Sequence, residues 1–357
     1  MIFEKKINLT FNKKNKISTA YINIPIKGIK LMNNPKTLSC NFNKNNNEII
    51  LKKNETGQPL IIQANGNTKL YRFTLDKELI QKIGYKKNQL VKIDITTEEI
   101  KINFTQEEKM SKIISIINFK GGVGKTTTTH CIGSGLTLFN KKVLLIDTDP
   151  QASLTFTALN ETPKLTIKDL LVDQKNINDI IIETENFDLI PSNLILNLAE
   201  RQLTSKFGTE KLLKKALNKI EKTYDYIIID CPPSMNLFTI NALFASDYVL
   251  IPCETELLAL DGLNLLIQTL EQTEEELDVK IKNTLVLPTK LDKRKKVSKE
   301  IYEHLLENFK TTKTTIRTCS KLNLLGLNKN SIYQIDSTCT AAVDYKNLVG
   351  EIIEWDC

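Results

Sequence analysis

Residues 112–127 read KIISIINFKGGVGKTT, and this stretch decides the fold of the larger part of the chain. Its isoleucine-rich first half, Lys112–Asn118, is typical of a strand buried on both faces of a parallel sheet. A glycine-rich turn follows directly, and a helical pattern begins at Thr126. A strand, a glycine turn and a helix in this order present backbone N–H groups to a phosphate chain. The stretch therefore predicts a nucleotide site.

The residue types in this turn each suit phosphate binding. Glycines let the backbone approach the phosphates, because no Cβ atom stands in the way. Lys125 offers a positive charge to the β- and γ-phosphates, and the Thr126 hydroxyl is a ligand for Mg²⁺. ATP and Mg²⁺ are the predicted cofactors. The predicted nucleotide contacts are Lys120, Gly121, Gly122, Val123, Gly124, Lys125, Thr126 and Thr127.

Strand-like and helix-like segments alternate behind the turn, which predicts an α/β fold with a mostly parallel sheet flanked by helices. The predicted strands are 112–118, 143–147, 187–191, 226–230, 248–252 and 284–287. The predicted helices are 126–139, 209–221, 257–277, 297–308 and 341–353.

Four ordered motifs resemble those of the ParA/MinD family of P-loop ATPases. Lys120 precedes the glycine pair, so that residues 120–126 give the family's deviant Walker A form, KGGxGKT. Residues 143–151, VLLIDTDPQ, resemble the DxDPQ segment, and residues 224–234, YDYIIIDCPPS, resemble the Walker B segment. Residues 259–263, ALDGL, continue the ParA pattern. The resemblance covers residues 112–353 and implies a P-loop NTPase fold and an ATPase.

The resemblance also implies roles for single residues. Lys120 would reach the nucleotide of a partner subunit in an ATP-dependent homodimer, and Lys125 would hold the phosphates. Asp149 would orient the attacking water, and Asp230 would hold Mg²⁺ through water. The implied catalytic residues are thus Lys120, Lys125, Asp149 and Asp230, and the implied metal site is Thr126, Asp147 and Asp230. A turn-forming or helix-capping role is the alternative for each aspartate.

Basic residues in the last third of the chain suggest DNA binding. In ParA proteins this region holds nucleoid DNA through its phosphates without reading sequence. Here residues 321–332 read KLNLLGLNKNSI, whereas the family commonly has RLxEAPxxGxxI. A solvated lysine face is the alternative for Lys295 and Lys296. The resemblance implies DNA contacts at Lys293, Arg294, Lys313, Arg317 and Lys321.

The front of the chain differs in charge and pattern. Residues 1–110 hold 20 Lys and Arg against 10 Asp and Glu, whereas the remainder holds 29 against 32. A polyanion is therefore the expected partner of the front part. Residues 21–50 and 71–100 repeat one order of strand, helical turn and hairpin, which resembles tandem AbrB-like swapped-hairpin modules that bind DNA. A small dimerisation module is the alternative. The predicted division is a basic β-rich domain at 1–105, a linker at 106–111 and the ATPase domain at 112–357.

Composition limits the remaining possibilities. Seven scattered cysteines without a CxxC pair argue against a disulfide framework and a zinc site. No apolar run is long enough to span a bilayer, and the acidic end of residues 345–357 is unlike the basic membrane helix of MinD proteins. We expect a cytoplasmic, nucleoid-associated protein that segregates plasmid or chromosomal DNA with a ParB-like partner. A regulator of its own operon and a positioning ATPase for a protein cargo are the alternatives.

Overall fold

A computed structural model describes residues 2–11, 17–24, 30, 32, 37–43, 48–53, 58–59, 61–65, 68–75, 80, 90–103, 111–204 and 208–355. The chain divides into two compact units, Met1–Met110 and Ser111–Cys357.

In the described residues of the first unit, nine strands form an antiparallel sheet in the order β5-β3-β4-β9-β8-β1-β2-β7-β6. Strands at equivalent positions of the two sequence repeats pair with each other: β2 with β7 and β4 with β9. The predicted helical turns at 26–32 and 75–83 fall largely outside the described residues. The strands are β1 Ile2–Phe11, β2 Ile17–Ile24, β3 Thr37–Asn43, β4 Glu48–Lys53, β5 Gln58–Pro59, β6 Ile61–Asn65, β7 Thr68–Leu75, β8 Leu90–Ile95 and β9 Glu99–Asn103.

The second unit is built on a seven-stranded sheet in the order β12-β13-β11-β14-β10-β15-β16. All neighbours are parallel except the short edge strand β12, which is antiparallel to β13. This confirms the predicted mostly parallel sheet. The strands are β10 Lys112–Ile116, β11 Val143–Asp147, β12 Ile182–Glu183, β13 Asp188–Ile190, β14 Tyr226–Asp230, β15 Tyr248–Glu254 and β16 Asn283–Thr289.

Helices cover both faces of this sheet. The predicted helix at 209–221 is shorter than expected, because a 3₁₀ turn at Thr209–Lys211 precedes a helix that ends at Leu217. None of the described helices combines the length and apolarity needed to cross a bilayer. The helices are α1 Lys125–Leu138, α2 Ser153–Ala158, α3 Ile167–Leu171, α4 Leu196–Thr204, α5 Leu212–Leu217, α6 Leu237–Ala245, α7 Leu257–Leu277, α8 Lys296–Asn308, α9 Ile332–Asp336 and α10 Thr340–Glu354.

Two apolar cores, one on each face of the sheet, position the polar ends of the strands. Along β11, Leu144 and Ile146 enter one core, and Leu145 enters the other. Alternation of this kind follows from the two-residue period of a strand. Because β11 and β14 are parallel neighbours, Asp147 and Asp230 end them side by side. Both carboxylates therefore lie at the carboxyl-terminal ends of the parallel strands, on the side of the sheet where β10 leads into the glycine turn.

Candidate nucleotide site

The glycine turn adopts a conformation that suits close approach of a phosphate chain. Gly122 and Gly124 have φ angles of 78° and 96°, which are in the left-handed region that disfavours other residues. A Cβ atom built on Gly121, Gly122 or Gly124 meets nothing within 4 Å, so the space in front of the turn is open. Helix α1 begins at Lys125 without a side-chain cap. Its first N–H groups and its dipole therefore face the open space.

The first residues of α1 connect the turn to the end of β14. The Thr126 hydroxyl donates a hydrogen bond to Asp230 Oδ2 at 2.7 Å, and the Thr129 hydroxyl lies 3.4 Å from Asp230 Oδ1. Lys125 is buried, and its ammonium donates to the Lys120 carbonyl at 3.2 Å. Burial lowers the pKa of Lys125, although the charges of Asp230 and Asp149 oppose the shift. An anion in front of the turn would stabilise this charge.

The two carboxyl groups at the sheet edge have different partners. Asp147 accepts hydrogen bonds from the Asp149 N–H at 3.1 Å and from the N–H and hydroxyl of Thr155 at 2.9 and 2.7 Å. Burial raises the pKa of Asp147, and burial together with the charge of Asp147 raises that of Asp230. Two negative charges are therefore costly here without a cation. Asp147 also fixes the backbone at Asp149, which is partly exposed beside the turn.

Lys120 belongs to a charged cluster at the rim of the turn. Its ammonium lies 2.6 Å from Glu254 Oε2 and 3.6 Å from Glu256 Oε2. Glu254, the last residue of β15, also pairs with Lys290, whose ammonium donates to the Gly122 carbonyl at 3.0 Å. The Glu254 side chain is only 6% exposed, whereas that of Lys120 is 41% exposed. Hydrogen bonding by Glu254 is the largest cause that raises the pKa of Lys120.

Sequence reasoning missed Glu254, and it grouped Lys290 with the basic residues suggested for DNA binding rather than with the turn. One feature of the sequence marks Glu254: it is an acidic residue that ends the otherwise uncharged strand YVLIPCE. A buried carboxylate in such a position requires cationic partners. Lys290 has a φ of 53°, which is uncommon outside glycine and helps to identify it as a constrained residue.

The predicted DNA-binding residues do not all present free charges. Arg317 makes a two-pronged ion pair with Asp344, with Nε and Nη2 at 2.9 and 2.7 Å from its oxygens. Arg294 pairs in the same way with Asp292, at 2.9 and 3.0 Å. The remaining predicted contacts, which are all exposed, are Lys293, Lys313 and Lys321. DNA contact by these five residues stays a prediction.

The residues around the turn fit a magnesium nucleotide. The open, amide-lined turn and Lys125 suit the phosphates, and the Thr126 hydroxyl beside Asp230 offers oxygen donors of the type that Mg²⁺ prefers. Bound Mg²⁺ would neutralise charge on the phosphates and on the paired carboxylates. Thr126 and Asp230 would hold it, and Asp147 would support them from the next strand.

Comparison with known proteins extends this assignment. Residues 111–283 match the family model described as an AAA domain. The chain is 40% identical over 249 residues to the sporulation initiation inhibitor protein Soj of Bacillus subtilis, covering 98% of that protein and 68% of this chain. It is 36% identical over 251 residues to the chromosome-partitioning ATPase Soj of Treponema pallidum, covering 99% of that protein and 69% of this chain.

Solved structures of nucleotide-binding proteins also match this chain. A plasmid partition protein of Borrelia burgdorferi bound to AMPPNP matches with 30% identity and a TM-score of 0.57, covering 68% of this chain and 98% of that one. Cobyrinic acid a,c-diamide synthase of Mycobacterium smegmatis, with a bound ATP analogue and magnesium, matches with 27% identity and a TM-score of 0.58. That match covers 68% of this chain and 95% of the synthase. Together with the geometry of the turn, these matches show that the chain is an ATPase and belongs to the Soj/ParA family.

Proposed function

We propose that this chain segregates plasmid or chromosomal DNA as an ATP-dependent homodimer. The position of Lys120 is the observation that carries the proposal. Its ammonium lies at the outer rim on Glu254 and Glu256, and its side chain remains 41% exposed. Lys125 is instead buried inside the turn. We therefore assign Lys125 to the chain's own phosphates and Lys120 to a phosphate brought by a second copy.

The hydrolytic step follows from the groups around the turn. Lys125 and the N–H groups of α1 hold the β- and γ-phosphates of ATP, and Thr126 and Asp230 hold Mg²⁺. Asp149 orients the water that attacks the γ-phosphate, and its backbone is fixed for this task by Asp147. Positioning and charge neutralisation supply most of the catalysis in reactions of this type.

In the proposed cycle, ATP closes two copies together and the closed dimer binds DNA through backbone phosphates. The exposed basic residues Lys293, Lys313 and Lys321 are the first candidates for these contacts, since Arg294 and Arg317 are already paired. A ParB-like protein on the cargo DNA then stimulates hydrolysis and releases the dimer. Relatives of this chain that are named for chromosome and plasmid partition support this cycle. Such a protein would act in the cytoplasm on the nucleoid.

Two lysine variants test the proposal in one set of assays. Lys125→Ala should lose ATP binding and, with it, ATP-dependent binding to nonspecific DNA. Lys120→Ala should still bind ATP but should neither pair nor bind DNA. Nucleotide titration, light scattering with a non-hydrolysable analogue and a DNA mobility assay measure these steps separately. Normal pairing of the Lys120 variant would refute the proposed dimer.

A third variant tests hydrolysis alone. Asp149→Ala should bind ATP, pair and hold DNA, but its turnover should fall by about 100-fold or more, because the attacking water is no longer oriented. Phosphate release under single-turnover conditions measures this loss. Unchanged turnover would remove Asp149 from the mechanism.

Operator binding by the first unit is a second candidate function. It is favoured by the 20 basic against 10 acidic residues of positions 1–110 and by the pairing of β2 with β7 and β4 with β9. The full-length Lys125→Ala variant isolates this activity, because its ATP-dependent DNA binding should be absent. A sequence-specific footprint upstream of its own gene would support operator binding, and a footprint no different from that on random DNA would refute it.

A further inference from the structure

Cysteines in the described part of the chain fall into two groups. Cys131, Cys231 and Cys253 are buried, and burial raises the pKa of each thiol. Such thiols are poor nucleophiles, because the thiolate is the reactive form. Cys40, Cys319 and Cys339 are instead partly exposed. Cys357 lies outside the described residues.

Cys319 and Cys339 lie together although 19 residues separate them in the sequence. Cys319 precedes the 3₁₀ helix Ser320–Leu324, and Cys339 is the N-cap residue of α10. The two thiols lie close enough to act electrostatically on each other, and both side chains pack against the same apolar core. The Ala342 N–H also points at Cys339 Sγ, at 3.5 Å. The pair therefore occupies the N-terminal end of the 15-residue helix α10.

The surroundings of the two thiols are unequal. Burial opposes a charge on Cys319, but hydrogen bonds from the Ala341 N–H, the Thr340 hydroxyl and the Lys321 N–H outweigh it and lower the pKa of this thiol. Burial is the main cause that raises the pKa of Cys339. The dipole of α10 also favours a negative charge at this end. Both residues adjoin the N-terminal end of α10, and N–H and hydroxyl donors surround Cys319, so we assign the attacking role to Cys319 and the resolving role to Cys339.

We propose that Cys319 and Cys339 form a redox-active dithiol that reduces hydroperoxides and closes reversibly into a disulfide. The Cys319 thiolate attacks the peroxide oxygen, the O–O bond breaks, and the leaving oxygen takes a proton to give water or an alcohol. Cys339 then attacks the sulfur of the Cys319 sulfenic acid, and the hydroxyl leaves as water. Two thiols lose two electrons to one peroxide, and a thiol reductant restores them.

Formation of the disulfide would constrain residues 319–339 of the ATPase unit. The disulfide would tie residues 319–339, which include Lys321 and α9, to the start of α10. The adjacent Thr318 hydroxyl donates to the Lys290 carbonyl at 3.0 Å, and the Lys290 ammonium contacts the Gly122 carbonyl of the turn. Oxidation thus acts on a segment that is linked to the phosphate turn through two contacts, from Thr318 to Lys290 and from Lys290 to Gly122. The proposal does not depend on the role of the chain in DNA partition.

Mass spectrometry of the native full chain tests the proposal. Treatment with a small excess of hydrogen peroxide, followed by alkylation and digestion, should join the Cys319 and Cys339 peptides in a disulfide that dithiothreitol removes. In the Cys339→Ser variant a sulfenic-acid trap such as dimedone should label Cys319. The disulfide should also raise Tm by roughly 5 °C, because it constrains the unfolded chain.

Two controls decide the interpretation. Cys40→Ser removes the other partly exposed cysteine of the described residues and should leave the disulfide intact. Cys319→Ser should retain the circular dichroism of the reduced protein and should lose both disulfide and sulfenic-acid products. Full alkylation of both thiols after peroxide treatment would overturn the proposal. So would oxidation spread evenly over all exposed cysteines, or dimedone labelling of the Cys319→Ser variant at Cys339 to the same extent.

Discussion

His130 offers a quantitative test of the core beneath the phosphate turn. It lies in α1, is 1% exposed and packs edge to face on Phe187, with ring centroids 5.2 Å apart. Its Nδ1 atom has no hydrogen-bond partner. Burial lowers its pKa from 6.5 to about 4. Replacing His130 with Phe keeps a ring against Phe187 and removes the titrating group.

The sign of the effect follows from the direction of this shift. Between pH 6.5 and about 4 the unfolded chain binds a proton that the folded chain excludes, so acid favours unfolding. The contribution of His130 to stability is therefore present above pH 6.5 and is lost as the pH falls toward 4. Full loss amounts to about 3 kcal/mol, and the part that falls between pH 7 and pH 5 is about 2 kcal/mol.

Urea unfolding at pH 7 and pH 5 measures this loss. Trp355 is the only tryptophan, and it packs on Tyr248 at 5.2 Å, so its fluorescence reports on the ATPase unit. Between the two pH values, the wild type should lose about 2 kcal/mol more than His130→Phe does. His304, the other histidine, is exposed, and His304→Gln should behave as the wild type does. Equal pH dependence in all three proteins would refute the reasoning.

Three further substitutions give defined outcomes. Gly124→Ala places a side chain at a φ of 96°, and we expect about tenfold weaker binding of a fluorescent ATP analogue in a titration. Glu254→Gln weakens the ion pair with Lys120. In the presence of a non-hydrolysable analogue, the protein concentration needed for dimerisation, measured by light scattering, should then fall by up to about fivefold. Arg317→Ala leaves Asp344 without its ion pair and should lower the unfolding free energy by about 1–2 kcal/mol in urea titration.

Each of these substitutions has a control and a contradicting outcome. Gly350 lies in α10 with no atom near its missing Cβ, so Gly350→Ala should not weaken ATP binding. Weaker pairing of Glu254→Gln would mean that the carboxylate positions Lys120 rather than restrains it. The exposed Lys321 matches Arg317 as a basic control, and Lys321→Ala should leave stability unchanged. Equal stability of Arg317→Ala and the wild type would show that the ion pair contributes nothing.

Local sequence was sufficient for the longer elements and for the phosphate turn. The strands Val143–Asp147 and Tyr226–Asp230 and the helix Leu257–Leu277 have the predicted bounds. Short helices such as Ser153–Ala158 and Ile167–Leu171 were not predicted. Helices of five or six residues are unstable alone, and packing rather than local pattern selects them.

The sequence by itself determined that a strand, a glycine turn and a helix meet at residues 112–127, because glycine conformation and apolar patterning act over a few residues. Only the tertiary structure decided which distant groups meet there. The register of β11 and β14 places Asp147 beside Asp230, and the order of the sheet brings Glu254 to Lys120 across 134 positions of sequence. Such contacts depend on how strands pair and pack, and no short window of sequence contains that information.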